Sequence, residues 1–358
     1  MARLKVLHAV EAFGGGVFTF IKLLTQGLSQ FEHAVLYAPR PETPPSFERS
    51  FPGTVRFIRW RSAQREINPI KDAKALLELL TLLRRERFDV IHLHSSKAGF
   101  LGRLAARLLG LERRVAYTPH GPAFLRLDVS PRKRRFYALL ERLAYQMGGR
   151  VVACSKSEAR ALCKEGIKAT YVFTGLPCPR EPVFKKPGSP FTVITVGRIA
   201  AQKNPALFNA VARRLEGEGV RFVWVGDGEL KSLLRAKNVT VTGWLSEEAV
   251  ERELKKADLY LSTSLWEGFP LAVLKAMCAG KPLLLRRCVG NEDAVKAGEN
   301  GFLFERAEEA VSLIKLFKSS PDLLERAARN AYNLLRCRFS YERMLSEYAR
   351  LYERLARS

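Results

Sequence analysis

No two cysteines in this 358-residue chain are spaced as CxxC: Cys154, Cys163, Cys178, Cys278, Cys288 and Cys337 stand apart. That scatter argues against a structural zinc site and is expected of free thiols in a reducing compartment. No run of about 18 apolar residues is present to span a bilayer, and MARLKVLHAVEAFGGG has too short an apolar core for a secretory leader, so a cytoplasmic protein is expected. Acidic residues are scarce too: 36 Asp and Glu stand against 60 Lys and Arg, a net charge of +24. The imbalance is steepest in residues 1–180, with 31 basic and 14 acidic residues, against 29 and 22 in residues 181–358. Such a surplus suits an anionic partner: nucleic acid, an acidic membrane surface or a phosphorylated substrate. The basic stretches lack the interleaved aromatics of a single-strand platform and any recognition-helix motif, which disfavours nucleic acid.

What is present is a regular alternation of short apolar strands and amphipathic helices, the pattern of parallel sheets with crossover helices. Strands are expected at 4–10, 33–38, 55–60, 89–94, 114–118, 150–154 and 170–173. The alternation is broken by GLPCPREPVFKKPGSP (175–190) and restarts at 191–197, 220–226, 239–243, 258–264 and 281–286. Two doubly wound α/β domains of Rossmann type follow, 1–178 and 190–337, facing across a cleft, with a helix near 338–358 packing back on the first. In such sheets ligands bind beyond the carboxyl ends of the strands, where helix N-termini offer free N–H groups to anions.

Five strand-end turns carry candidate chemistry. AFGGGVFTF (12–20) is not GxGxxG, but Gly14, Gly15 and Gly16 permit close approach of a ligand. YTPHGPAF (117–124) places His120 at a strand end, where an imidazole of near-neutral pKa would donate to a sugar hydroxyl or phosphate. His92 and His94 share a strand face, with no third metal ligand evident near them. VGRIAAQKNP (196–205) sets Arg198 and Lys203 after Gly197, a fork and a point charge suited to a diphosphate. VGDGELKSLL (225–234) reads as a glycine turn, Gly226, into a helix capped by Asp227; with Glu229 it imitates an acidic metal motif, but the cap explains it more simply. In STSLWEGFPLAVLKAM (262–277), Glu267 and Gly268 form a loop and Pro270 suits the first helical turn.

Taken in order, these turns resemble the retaining glycosyltransferases of family 4, which have the GT-B fold. The matching stretches are the 14–16 turn, TPHG, ACSKSE, VGRIAAQKN, VGDGEL, VTGW, STSLWEGFPLAVLKAM and GENGFLF. HSSKAGFLGRLAARL and TPHGPAF are most similar to the branch that builds bacterial surface polysaccharides on membrane-anchored carriers.

The resemblance implies a nucleotide-sugar donor, UDP-linked by preference, bound mainly by the second domain, and a lipid-linked or glycan acceptor bound by the first. Arg198 and Lys203 would hold the donor diphosphate, Glu267 hydroxyls of the transferred sugar, and His120 the sugar near the reacting carbon. Backbone groups of Gly268, Phe269, Pro270 and Leu271 would line phosphate and sugar, with Gly15 and Gly16 approaching the diphosphate. The leaving phosphate would take the acceptor's proton on the same face, giving retention, with no metal and no cofactor required. Loss of one clamp residue should cost on the order of 2.7–4 kcal/mol of transition-state stabilisation. A catalytically silent GT-B subunit and a GT-B sugar-nucleotide epimerase are the alternatives.

The family usually has a second glutamate eight residues after the first, holding the donor ribose; this chain has Lys275 there. Side chains of a helix lean towards its N-terminus, so the Lys275 head is expected near Glu267 or the ligand. In SPRKRRFYALLERLAYQ (130–146), Arg132, Lys133, Arg134 and Arg135 sit beside Phe136, Tyr137 and Leu139, a mix suited to anionic headgroups on the inner face of the cell membrane.

Overall fold

The computed structural model describes residues 3–64, 66–178, 182, 184 and 187–357. It divides into two compact units: the chain up to Leu125 with Val129–Thr174 and the residues from Glu342 on, and Arg126–Asp128 with Gly175–Tyr341. Of the 175–190 connector, residues 179–181, 183, 185 and 186 lie outside the described residues.

Unit 1 contains β1 (Lys5–Phe13), α1 (Gly15–Gly27), β2 (Glu32–Pro39), β3 (Arg56–Arg59), α2 (Pro69–Arg85) and β4 (Val90–His94). It continues with α3 (Ser96–Leu108), β5 (Val115–Thr118), α4 (Pro131–Gln146), β6 (Arg150–Ala153), α5 (Lys156–Lys164) and β7 (Ala169–Tyr171). The seven strands form one parallel sheet in the order β3-β2-β1-β4-β5-β6-β7. The order reverses between β1 and β4, which makes their carboxyl ends the topological switch point of this sheet.

All five residues of β4 are buried, because helices cover both faces. The faces nevertheless differ. Leu7 and Ala9 of β1 and Ile91 and Leu93 of β4 join an aliphatic core with Leu79, Leu83 and Leu101. The alternate residues, His8, His92 and His94, point the other way.

Unit 2 contains β8 (Phe191–Val196), α6 (Pro205–Arg213), β9 (Val220–Val225), β10 (Val239–Val241), α7 (Glu247–Lys256) and β11 (Leu259–Ser262). It continues with α8 (Leu271–Cys278), β12 (Leu283–Arg286), α9 (Asn291–Ala294), β13 (Gly301–Phe304), α10 (Ala307–Ser319) and α11 (Pro321–Arg338). Its parallel sheet runs β10-β9-β8-β11-β12-β13. The last helix, α12 (Tyr341–Ala356), buries Met344, Tyr348, Leu351, Tyr352 and Leu355, one stripe at helical spacing, within unit 1.

Three local expectations need correction. The stretch after Asp227 forms a single 3-10 turn, Lys231–Leu233, in place of an α-helix. Residues 301–304, quoted above only as part of a motif, form the edge strand β13. Cys178 and Cys278 are not free thiols: they form a disulfide between the start of the connector and the end of α8, with Cα atoms 5.6 Å apart. A separation of 100 residues hides such a pair from any local motif. Cys154, Cys163, Cys288 and Cys337 are free.

Candidate active site

In unit 2 the turns after β8, β9 and β11 are stitched together. Gly226 adopts φ 140°, and a Cβ there would stand 2.2 Å from the Gly197 carbonyl oxygen, so a glycine is required for the two turns to touch. The Trp224 indole donates to that same carbonyl at 2.8 Å. Thr263 Oγ1 donates to the Lys203 carbonyl at 2.7 Å, and Leu265 N–H to the Gln202 carbonyl at 2.8 Å, fixing the 201–204 turn on the loop that leads to α8.

These contacts deliver the central pair: Lys203 Nζ lies 2.7 Å from Glu267 Oε1, and Gln202 Nε2 donates to Glu267 Oε2 at 3.2 Å. The Glu267 side chain is 9% exposed and that of Lys203 20%, so the pair is largely desolvated. Burial is the largest single influence and pulls the Lys203 ammonium down, but the Glu267 carboxylate together with Tyr260 and Cys288 turns the net direction up. Burial and then the Glu267 charge push the neighbouring Cys288 thiol up to about 12, keeping it protonated. Gly290 closes the pocket wall, since a Cβ there would meet Glu267 Cβ and the Gly268 carbonyl at 2.8 Å.

The loop entering α8 is buried from Trp266 to Pro270. Phe269 packs its ring on Phe339 at 4.9 Å, which leaves only its backbone to face a ligand. Pro270 is the N-cap, one residue before the first helical turn, and its carbonyl accepts from Val273 and Leu274. The N–H groups of Leu271 and Ala272 open the helix and have no partner within it.

Arg198 is ion-paired with Glu229 at 3.0 Å, both half exposed. Asp227 turns back on its own loop, accepting from Gly228 N–H at 2.8 Å and from Lys231 Nζ at 3.1 Å; the Gly228 bond leads in holding its carboxyl below the usual range. Lys275 does not approach Glu267: its ammonium meets Glu247 at the start of α7, 3.2 Å away. The reason is rotational. Val273, Leu274, Ala276 and Met277 take the core-facing side of α8, and Lys275 lies on the partly open side next to α7.

In unit 1 the glycine run starts α1 directly, with Gly14 as N-cap, Gly15 at φ 55° and Gly16 inside the first turn. His120 holds φ 55°, a left-handed conformation costly for a non-glycine residue. Burial depresses its pKa to about 3, so the near-neutral imidazole expected above is instead uncharged.

Both of its ring nitrogens are engaged within the chain. Nδ1 lies 3.2 Å from Cys154 Sγ and Nε2 3.1 Å from His94 Nδ1. The chain continues from His94 Nε2 to His8 Nδ1 at 3.1 Å, from His8 Nε2 to His33 Nδ1 at 3.1 Å, and from His33 Nε2 to the Leu28 carbonyl at 3.0 Å. A carbonyl only accepts, so His33 must donate from Nε2; with neutral rings the same tautomer propagates through His8 and His94 to His120. At the far end the buried Cys154 thiol, its pKa raised by burial, supplies the last donor.

His92 completes the set of five histidines, bonded to Tyr352 Oη at 2.7 Å and Thr118 Oγ1 at 2.8 Å. Burial is the leading cause that lowers the pKa of His8, His33, His92 and His94. His8, His92 and His94 have ring nitrogens within 4.8 Å of one another, so His8 is the third potential metal ligand that the sequence did not reveal, although hydrogen bonds already occupy these rings. Its signal was the same-face spacing of His8 on β1 opposite His92 on β4, invisible until strand order is known. Gln202 and Cys288, also missed, carry no spacing signal at all.

Residues 180–334 match the family described as glycosyl transferases group 1, and residues 15–174 the glycosyl transferase 4-like domain. Among curated proteins, the chain is 33% identical over 272 residues to the UDP-Gal:alpha-D-GlcNAc-diphosphoundecaprenol alpha-1,3-galactosyltransferase of Escherichia coli, covering 67% of this chain and 68% of the relative. It is 26% identical over 333 residues to an uncharacterized 41.2 kDa protein in the cps region of Klebsiella pneumoniae, covering 87% and 89%. Among solved structures, sucrose-phosphate synthase from Thermosynechococcus elongatus superimposes with a TM-score of 0.81 at 17% identity, over 99% of this chain and 100% of that one. Anabaena HepE in complex with UDP and glucose gives 0.78 at 18% identity, over 98% and 100%. With both sheets wholly parallel and both family matches in chain order, the protein belongs to the GT-B glycosyltransferases of family 4 type.

Proposed function

We propose that the chain is a retaining transferase that moves a hexose, galactose foremost, or an N-acetylhexosamine from a UDP-sugar to a sugar carried on a lipid diphosphate. The observation that carries this reading is the desolvated Lys203–Glu267 pair beside the open N-terminus of α8. When the donor binds, its diphosphate takes over the Lys203 ammonium, with Arg198 and the first N–H groups of α8 completing the anion site. Glu267, released from Lys203, accepts hydroxyls of the transferred sugar. As the bond from the anomeric carbon to the phosphate stretches, negative charge grows on the leaving group, where these fixed cations and dipoles act most strongly. The departing phosphate oxygen accepts the acceptor's proton on the same face, which gives retention. Asp227 is committed to Gly228 and Lys231, which supports a metal-independent reaction. Lys275, held by Glu247, would act on the ribose only by leaving that partner. The E. coli relative, whose name specifies UDP-Gal and a GlcNAc-diphosphoundecaprenol, motivates the choice of donor and acceptor.

Among the described residues no helix is long and apolar enough to cross a membrane. On α4, Phe136, Leu139 and Leu143 are 47–48% exposed, spaced to form one stripe flanked by Arg132, Lys133 and Arg135, while Arg134 lies towards the buried side. This face supports peripheral attachment to the anionic inner leaflet, each cation adding about 1 kcal/mol near the surface. A variant with Arg132, Lys133 and Arg135 all changed to Gln should lose binding to phosphatidylglycerol vesicles; binding equal to wild type would refute the attachment.

The decisive assay incubates the full chain with labelled UDP-sugars, a GlcNAc-diphospholipid acceptor and EDTA. Transfer of galactose with α configuration is expected. Consumption of donor without acceptor would indicate an epimerase, and no consumption a silent subunit.

A further inference from the structure

The switch point of unit 1 holds a carboxylate that the reaction above does not use. Glu11 sits near the end of β1, where the register against β2 shifts between Val10 and Phe13. It is only 6% exposed. Its Oε2 accepts from Ser95 Oγ at 2.6 Å and from the Ala98 N–H, in the first turn of α3, at 3.0 Å. Among the described residues no other residue donates a hydrogen bond to Oε1, although the Glu11 backbone N–H also favours the charged carboxylate, and Oε1 is not one of the fully enclosed atoms lacking a partner, so it retains an open side. Ser95 is held at φ 71°, with its N–H on the Thr118 carbonyl at 3.0 Å, so a strained residue fixes the carboxylate in place. Beyond Glu11 the chain enters the glycine turn, and a Cβ on Gly15 would meet nothing within 4 Å: the space there is free.

The chemistry of this corner is the reverse of unit 2. A bare α3 N-terminus would invite a phosphate. With Glu11 accepting from its first turn, this N-terminus is already capped by a carboxylate and offers less to a phosphate, while a carboxylate oxygen takes O–H donors strongly. We propose that Glu11 Oε1 accepts a hydroxyl of the acceptor's terminal sugar, so that unit 1 recognises the acceptor by its sugar and not by its phosphates. This rests on the reading of the chain as a transferase that extends a lipid-linked sugar, and deepens it. Burial, the leading influence, raises the carboxyl's pKa, while the Ser95 bond, the Glu11 and Ala98 N–H groups and the Lys97 charge act to keep it ionised.

The test titrates the full chain with two short-chain probes, a GlcNAc-diphospholipid and the same lipid diphosphate without sugar. Wild type should prefer the sugar-bearing probe by roughly tenfold or more, the scale of one charge-assisted hydrogen bond. Glu11→Gln, which keeps an oxygen for Ser95 and Ala98, should lose most of that preference with an unchanged melting temperature and unchanged UDP affinity. Glu11→Asp should restore part of it. A wild-type chain that binds both probes alike, or a Glu11→Gln chain that keeps the preference, overturns the proposal. Failure of the transferase reading itself would appear separately, as absent sugar transfer by wild type, while probe binding still decides the role of Glu11.

Discussion

The two units differ in the buried polar cluster that each holds: an ion pair in unit 2 and a chain of neutral imidazoles in unit 1. Unit 2 holds a desolvated ion pair, Lys203–Glu267, at one stitched turn. Unit 1 threads four uncharged imidazoles into a hydrogen-bonded chain from Cys154 to Leu28, with every ring nitrogen in it matched. The contrast separates two uses of buried polarity. A buried pair can trade partners for a charged ligand, whereas a ligand reaching the neutral chain would have to displace one of its hydrogen bonds. Lysine and glutamate in unit 2 are thus the groups to test for chemistry, and histidines in unit 1 the groups to test for stability.

Acid should break the comparison most severely. The folded chain holds its histidines below their usual values, so the unfolded chain binds more protons and stability rises with pH through that window. The contribution is complete above about pH 6.5 and is lost as pH falls towards the folded values, which for His120 is about 3. Each histidine can cost about 1.4 kcal/mol per pH unit there. Urea midpoints at pH 7.5 and 5.5 should differ markedly, and equal midpoints would mean the rings are not neutral and buried. Next in size is Lys203→Ala. With the clamp removed, kcat/KM for sugar transfer should fall about 10²- to 10³-fold, roughly 2.7–4 kcal/mol.

His94→Ala probes the other side of the contrast. It leaves donor and acceptor atoms of His120 and His8 without partners, at about 1–3 kcal/mol of unfolding free energy per buried group. Its cost should appear in the urea midpoint, with kcat of the folded fraction within a few-fold of wild type. Lys275→Ala should do least: a partly exposed pair with Glu247 contributes about 0.2–1 kcal/mol, and donor KM should stay within about twofold. A tenfold rise in donor KM would return Lys275 to the ribose.

Strand positions and the order of strands and helices were legible in the sequence because parallel strands buried on both faces read as short apolar runs. GFLF was too short to separate from its motif, and the stretch after Asp227 had helical composition but forms only the Lys231–Leu233 turn before β10. In the candidate site, glycine turns and strand-end cations could be read directly, since they follow their strands in sequence. Pairings could not. Lys203 and Glu267 are separated by 64 residues, Glu11 and Ser95 by 84, and the two cysteines by 100. Lys275 misled because helical lean fixes the direction along the axis but not the rotation that turned it towards α7.

The division of labour between the two units is tested most directly by hydrogen exchange of the full chain with and without UDP. Protection should rise in residues 197–204 and 267–274 of unit 2, leaving β2 and β4 of unit 1 unchanged. Protection of β2 and β4 with no change in those unit 2 segments would contradict the account.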